Sequence, residues 1–295
     1  MTTVTIDHRT LETLHRRWSA GEKIARLAAE IGLSWQRLHG ELTRRFGSPS
    51  PHRAVSTAKQ VGRDLGTVSP MPVQSAGSGP VTERYRPRSL DALVGQPAVV
   101  RFLERLANDP YPTALLFEGE TGTGKTSAAL ALAAALGCDP SQDEFGGVYQ
   151  IASGEQTADS VRAVCRQMAY RPLYGSGWKV IIVNEVDRIS LPAETIWLDR
   201  LEALPNWTVV VFTTNDASRL SSRFCDRCQR LRFEADAGKL APEAAALLAG
   251  IWQAERGEEP DMVRIGRVID DCVEGGKLSI RRCVQRLSTV LAEME

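Results

Sequence analysis

The segment Gly119-Glu120-Thr121-Gly122-Thr123-Gly124-Lys125-Thr126 follows the spacing G-x-x-x-x-G-K-[ST] in full. Its chemistry is that of an anion cradle. Glycines let backbone N–H groups turn toward a phosphate where a Cβ would collide. Lys125 brings a cation to the β- and γ-phosphates, and the Thr126 hydroxyl is a ligand for Mg²⁺. An apolar strand-like run, Ala114 to Phe117, leads into the loop. An Ala/Leu-rich helical run, Ser127 to Leu136, leads out and aims its positive N-terminus at the same anion. Strand, loop and helix in that order imply a bound nucleoside triphosphate with Mg²⁺. It would be cradled by Gly119, Thr121, Gly122, Thr123, Gly124, Lys125, Thr126 and Ser127.

Hydrolysis needs more than a cradle. The run Lys179-Val180-Ile181-Ile182-Val183-Asn184-Glu185-Val186-Asp187 is an apolar strand ending in polar and acidic residues. Glu185 is placed to orient and polarise an attacking water. Asn184 can accept a hydrogen bond from a metal-bound water but brings no negative charge. Mg²⁺ is therefore expected to rest mainly on Thr126 and the phosphates, with Asn184 assisting. A third polar strand end, Thr213-Thr214-Asn215, offers Asn215 to the γ-phosphate or its water; taken alone it also reads as an ordinary strand-end turn.

These residues need a scaffold that brings several strand ends together. Strand-like runs at Ala114–Glu118, Val148–Ile151, Val180–Asn184, Thr208–Thr213 and Gln229–Phe233 alternate with helical stretches. Two of them, Val180 to Val183 and Val209 to Phe212, are apolar on both faces, as central parallel strands are. The reading is an α/β fold: a five-stranded parallel sheet over 81–235, then a helical lid over 236–295 with helices near Pro242–Arg256, Met262–Val273 and Ser279–Glu293. Upstream, residues 1–47 read as helices with apolar faces Leu11/Leu14/Trp18, Ile24/Leu27/Ala28/Ile31 and Leu38/Leu42/Phe46. Between them, 48–80 holds five prolines, four glycines and six serines and reads as a flexible linker.

Of the 295 residues 43% are apolar and 24% charged, ample for a core and ordinary for a soluble protein. The formal net charge of zero hides an asymmetry. Residues 1–64 carry eleven Lys/Arg against six Asp/Glu, a net +5, and the remainder balances it. A basic N-terminal piece suits a polyanionic partner. No apolar signal segment opens the sequence and no run is long enough to span a membrane, so a cytoplasmic, nucleoid-associated protein with no membrane partner is expected. The six cysteines lack a framework spacing, which fits a reducing compartment. Cys225 and Cys228 form the one close pair. They read as buried thiols, with a metal site as the alternative.

Residues 82–283 resemble the ATPase modules of sliding-clamp loaders, the small subunits of the replication factor C type within the AAA+ superfamily. The resemblance is carried by Thr82-Glu83-Arg84-Tyr85-Arg86-Pro87-Arg88-Ser89-Leu90-Asp91 with Val94-Gly95-Gln96, by Val148 to Ser153, by Arg200-Leu201-Glu202, by Asp226-Arg227-Cys228 and by Gly276 to Arg282. It implies that Tyr85, Arg86, Pro87 and Val94 pack against the adenine. It implies that Arg227 is an arginine finger acting on ATP in a neighbouring subunit, with Arg223 as alternative. It implies that Arg281, or Arg282 one register on, is a lid arginine touching the γ-phosphate. Clamp-loader subunits also carry a helical collar that this sequence lacks after its lid, so a standard clamp-loader assembly is not expected from this chain alone.

Residues 8–47 resemble the helix-turn-helix of resolvases and transposases, with Ile31 to Ser34 as the turn and Trp35 to Phe46 as the recognition helix. Gln36, Arg37, Arg44 and Arg45 are then the candidates for double-stranded DNA, through base edges or phosphates. A helical protein-docking module is the other reading. Together these features imply an ATPase that assembles with itself on DNA as a ring, spiral or filament. It would load or remodel a client such as a clamp, a helicase or a transposase. A DNA-binding module joined to a collarless AAA+ domain is also the layout of transposition target-selecting ATPases of the phage Mu type. A nucleotide-binding switch with little hydrolysis is the remaining alternative.

Overall fold

The computed structural model describes residues 8–19, 24–31, 35–46, 68–73, 79–139 and 145–294. At its centre is a five-stranded sheet of β1 (Thr113–Glu118), β2 (Val148–Ile151), β3 (Lys179–Val183), β4 (Thr208–Thr214) and β5 (Gln229–Arg232). All neighbours run parallel, in the order β2-β3-β4-β1-β5. Side chains alternate across a strand, so each strand feeds two cores. Leu115, Phe117, Val180, Ile182, Val209 and Val211 face one way; Ala114, Leu116, Ile181, Val183, Val210 and Phe212 face the other. Every residue of β3 and β4 is buried, which is why those runs lack a polar alternation.

Helices cover both faces. On the first lie α5 (Pro97–Asn108) and α6 (Lys125–Ala135), the latter almost wholly small and apolar so that it can approach the sheet closely. On the second lie α7 (Ala158–Met168), α8 (Leu191–Leu201) and the short α9 (Ser222–Asp226). Trp197 of α8, Phe212 of β4 and Phe224 of α9 meet edge to face, with ring centroids 5.0 and 4.8 Å apart. The helices start where their caps dictate: Thr157, Ser190 and Ser221 each accept a hydrogen bond from a first-turn backbone N–H.

The lid is α10 (Ala237–Arg256), α11 (Met262–Cys272) and α12 (Ile280–Ala292), with its own core around Leu240, Leu248, Ile251, Ile269 and Leu287. α10 begins five residues earlier than the periodicity predicts. Asp236 caps it, and Pro242 falls inside the helix. A two-stranded hairpin, Val273–Glu274 with Lys277–Leu278, joins α11 to α12, and its turn is Gly275-Gly276. The Ala237 N–H donates to Gly276 O and the Leu278 N–H to Ala235 O, pinning the hairpin to the connection between β5 and α10.

Upstream, α1 (His8–Ser19), α2 (Ile24–Glu30) and α3 (Trp35–Phe46) bury Leu11, Leu14, Leu27, Ala28, Leu38 and Leu42 together, with Ile31 and Phe46 beside them. The side chains of Trp18, Ile24, Trp35 and Gln36, the turn residues 32–34 and Gly47 lie outside the described residues.

One stretch departs from the flexible linker expected over 48–80. Val68, Met71 and Val73 pack on the lid core. The Met71 N–H donates to Ala246 O at 2.9 Å. Three apolar side chains spaced among prolines give no periodicity, yet an extended strap can bury all three on a helix pair. The four-residue helix α4 (Val81–Arg84) and Tyr85, expected with the sheet domain, also pack on the lid. Gly250 of α10 makes the seat: a Cβ there would lie 2.1 Å from Met71 O. In a free helix Gly→Ala gains about 1 kcal/mol. Here the backbone clash outweighs that gain, and Gly250→Ala is expected to destabilise by about 1–3 kcal/mol. Urea unfolding measures the loss, and faster proteolytic cutting within 68–73 assigns it to the strap.

Candidate functional site

The strand order decides what can meet. β4 lies between β1 and β3, so the loop after β1, Asn215 after β4 and Glu185 after β3 line up along the carboxyl edge of the sheet. That edge is where open parallel sheets bind ligands.

The loop itself is built for close approach. Gly122 takes φ +81°, and a Cβ on it would sit 2.2 Å from Ser279 Oγ of the lid. Thr123 is buried and donates to Glu120 O at 2.8 Å, bracing the turn. Lys125 is also buried. Its Nζ donates to Gly119 O (2.7 Å), Glu120 O (2.8 Å) and Asn215 Oδ1 (2.9 Å), all neutral acceptors. Burial pulls the Lys125 ammonium down to about 8; the Glu120 carboxylate opposes that shift and Arg281 adds to it. This is a cation held in low dielectric with no carboxylate against it, the state an incoming triphosphate would relieve.

Thr126 Oγ1 donates to Asn184 Oδ1 at 3.0 Å, so the two expected metal-side residues touch. Both are neutral oxygen donors, which suit a hard cation already carried by phosphates. Among the described residues no group of three His, Cys, Asp or Glu side chains is placed to hold a metal by itself. Mg²⁺ fits this site as part of a nucleotide complex. The Cys225–Cys228 pair does not change that: burial pushes the Cys228 thiol up to about 12.

Glu185 adopts φ 53° and ψ 53°, and among the described residues it is the one non-glycine with positive φ. Such a conformation costs of order 1–3 kcal/mol and is kept where the surroundings enforce it. Its N–H donates to Thr213 Oγ1 at 3.1 Å, and Arg188 Nε stands 3.7 Å from its carboxylate. The Ser153 hydroxyl, at the end of β2, donates to the same carboxylate. Asn184 is fixed from both sides: its N–H donates to Ile151 O, and the Gln156 side chain donates to its carbonyl.

Two adjoining cavities run across the loop. One, of about 210 Å³, is lined by Thr121, Gly122, Gly124, Lys125, Thr126, Ser127, Asn184, Glu185, Thr213, Asn215 and Arg281. The other, of about 370 Å³, has Tyr85, Arg86, Pro87, Leu93 and Val94 on one wall and Leu247, Ile280 and Val284 of the lid on the other. Polar groups with two cations, Lys125 and Arg281, line the first, and two facing apolar walls with a polar rim line the second, which suits phosphates and a nucleobase respectively. Arg86 Nε reaches Ser127 Oγ at 3.3 Å. Arg281 lines both cavities and its N–H donates to Gly122 O, whereas Arg282 turns away to Glu274 at 2.6 Å.

Not every expected residue lies here. Arg227 lines neither cavity; it caps α9, its Nη1 donates to Arg223 O at 3.0 Å and its Nη2 pairs with Glu202. Arg223 is exposed and also outside both cavities. In the N-terminal helices Arg37, Arg44 and Arg45 are exposed, and both Arg44 and Arg45 pair with Glu41. Sequence reasoning missed Ser153, Gln156 and Thr213 around Glu185, and the lid wall of Leu247, Ile280 and Val284. It also missed the role of Gln96, whose buried amide donates to Glu234 O and accepts from the Glu234 N–H. The apolar lid residues carry no signal that separates them from core; Gln96 carried one, as a polar residue within an apolar stretch.

The parallel order, the glycine loop, the strand-end polar residues and the helical lid define an AAA+ P-loop fold. Residues 115–235 match the family model described as ATPase family associated with various cellular activities (AAA). The replication factor C small subunit of Archaeoglobus fulgidus is 33% identical over 153 residues, 52% of this chain and 47% of that protein. The one from Halobacterium salinarum is 29% identical over 211 residues, 71% of this chain and 62% of that protein. The chain thus spans about half the length of the curated relatives it matches. Among solved structures, a point variant of RuvB from Thermotoga maritima superposes with a TM-score of 0.53. It shares 19% identity, covering 71% of this chain and 65% of that one, a likeness of fold.

The Lys125 geometry has a pH signature. A triphosphate favours the ammonium form, so binding draws on a group that loses its proton above about 8 in the free protein. ATP affinity is expected to be level below that pH and to fall above it, by at most about tenfold per pH unit. Calorimetric titration between neutral and alkaline pH checks this. Lys125→Arg, charged throughout, is expected to flatten the profile.

Proposed function

We propose that this chain binds ATP with Mg²⁺ and hydrolyses it at sites shared between subunits, using turnover to load or remodel a partner protein on DNA. One observation carries the reading. A single cavity is lined at once by Lys125, Thr126, Glu185, Asn215 and the lid's Arg281, while Arg227 sits apart on the same subunit's surface. The first five suffice to hold a triphosphate and aim a water; the missing cation would come from a neighbour.

The roles follow from position. Gly119 to Ser127 cradle the phosphates and α6 adds its N-terminal dipole. Tyr85, Arg86, Pro87 and Val94 close on the base with Leu247 and Val284 opposite. Thr126 would hold Mg²⁺ directly and Asn184 through a water; when bound, the ion supplies positive charge to the β- and γ-phosphate oxygens. Glu185 polarises the water, and its carboxylate must first leave the Ser153 hydroxyl. Asn215 aligns the γ-phosphate or that water. Arg281 reports the γ-phosphate to the lid, and Arg227 neutralises charge on the transferred group in trans. Similarity to replication factor C small subunits supports DNA and a client protein as partners. The basic N-terminal helices, with Gln36, Arg37, Arg44 and Arg45, supply a DNA contact suited to the net +5 of residues 1–64. An assembly that forms along DNA with a transposase as client fits the same parts.

Asn184 favours a second reading, an ATP-binding switch with little hydrolysis, because the metal side of the cavity lacks a carboxylate at that position. Turnover with and without duplex DNA separates the two. The expected outcome is DNA-stimulated hydrolysis, with Glu185→Gln lowering kcat by about 100-fold or more while ATP affinity holds. Tight ATP binding with no turnover on DNA would leave the switch. Deleting residues 1–47 is expected to weaken DNA binding and flatten its salt dependence.

A further inference from the structure

We infer that Glu202 masks Arg227 in the free subunit and must release it before a neighbour's ATP can be hydrolysed. The inference rests on the shared-site reading above and concerns its regulation. Both terminal nitrogens of the Arg227 guanidinium are engaged within its own chain. Nη2 pairs with the Glu202 carboxylate, and Nη1 donates to Arg223 O at 3.0 Å. Nε is buried with no partner. Two of the guanidinium's four terminal N–H groups are used in these bonds, and the Glu202 carboxylate offsets the charge that a phosphoryl oxygen would meet.

The geometry of the pair makes it a reversible cover. Arg227 keeps 30% of its side-chain surface and Glu202 63%, so one flank of the pair faces water. Exposed ion pairs are weakly held. Glu202 stands just past the end of α8, at its C-terminal cap, and Arg227 just past the end of α9. Neither backbone needs to move for the carboxylate to swing away. A triphosphate offers Nη2 several anionic oxygens in place of one carboxylate, and an arginine fork fits phosphate as well as it fits carboxylate. An unreleased Glu202 would instead carry its negative charge toward that triphosphate. The exchange therefore ties hydrolysis to correct docking of subunits: a well-placed triphosphate competes with Glu202 for Arg227.

The test is ATPase activity, with DNA, across a range of protein concentrations for the full chain. Glu202→Gln keeps the shape and removes the competing charge. It is expected to reach half-maximal turnover at about two- to fivefold lower protein concentration than the parent, the range set by an exposed ion pair. Glu202→Gln with Arg227→Ala is expected to be as inactive as Arg227→Ala alone, which shows that the gain passes through Arg227. Glu202→Asp, still charged, is expected to stay near the parent. If Glu202→Gln loses activity as Arg227→Ala does, or leaves the concentration dependence unchanged, masking is wrong while the shared site stands. If Arg227→Ala itself retains full turnover, the shared-site reading fails and this inference with it.

Discussion

A buried lysine without a carboxylate partner organises the structure. Lys125 is enclosed at the end of β1 and is satisfied by two loop carbonyls and one amide oxygen. Neutral acceptors solvate the ammonium without cancelling its charge. Burial lowers its pKa, so the fold carries an electrostatic debt that only an anion of the right shape removes. The parts nearest it determine which anions fit. Glycine turns admit oxygens to the backbone, Thr123 stiffens the loop, and Arg281 adds a second cation from the lid.

The lid comes so close because the loop has no side chain at Gly122. Ser279 and Arg281 occupy the space a Cβ would take. The position of the lid is then fixed at several points. The hairpin of Val273–Glu274 and Lys277–Leu278 bonds to the β5–α10 connection, Lys277 pairs with Glu120 of the loop, and Gln96 grips Glu234 by both backbone groups. Glu185 lines the smaller cavity from the end of β3, in a positive-φ conformation that Thr213 of β4 braces by accepting from its N–H.

The sequence made the phosphate loop, the two fully buried strands and the strand-end polar residues legible, because each follows from a local rule. A glycine pattern, an unbroken apolar run and a polar stop are visible without knowing what lies across the sheet. Asn215 follows β4, and the strand order sets β4 between β1 and β3. What stayed hidden is non-local. Leu247 and Val284 are indistinguishable from other lid core residues until α10 and α12 fold over the loop. Ser153 and Gln156 look like a turn after β2 until β2 is laid beside β3. The hairpin between α11 and α12 is only two residues per strand, too short for any alternation to register.

The strap at residues 68–73 alters where the molecule can be pulled. Its apolar side chains are set into the lid core, and its backbone is bonded to Ala246, the residue before Leu247 on the wall of the larger cavity. Residue 68 therefore meets the folded body on the lid, and the sheet lies beyond it. A load applied from that side would reach the lid first, through the Met71–Ala246 bond, before any strand of the sheet.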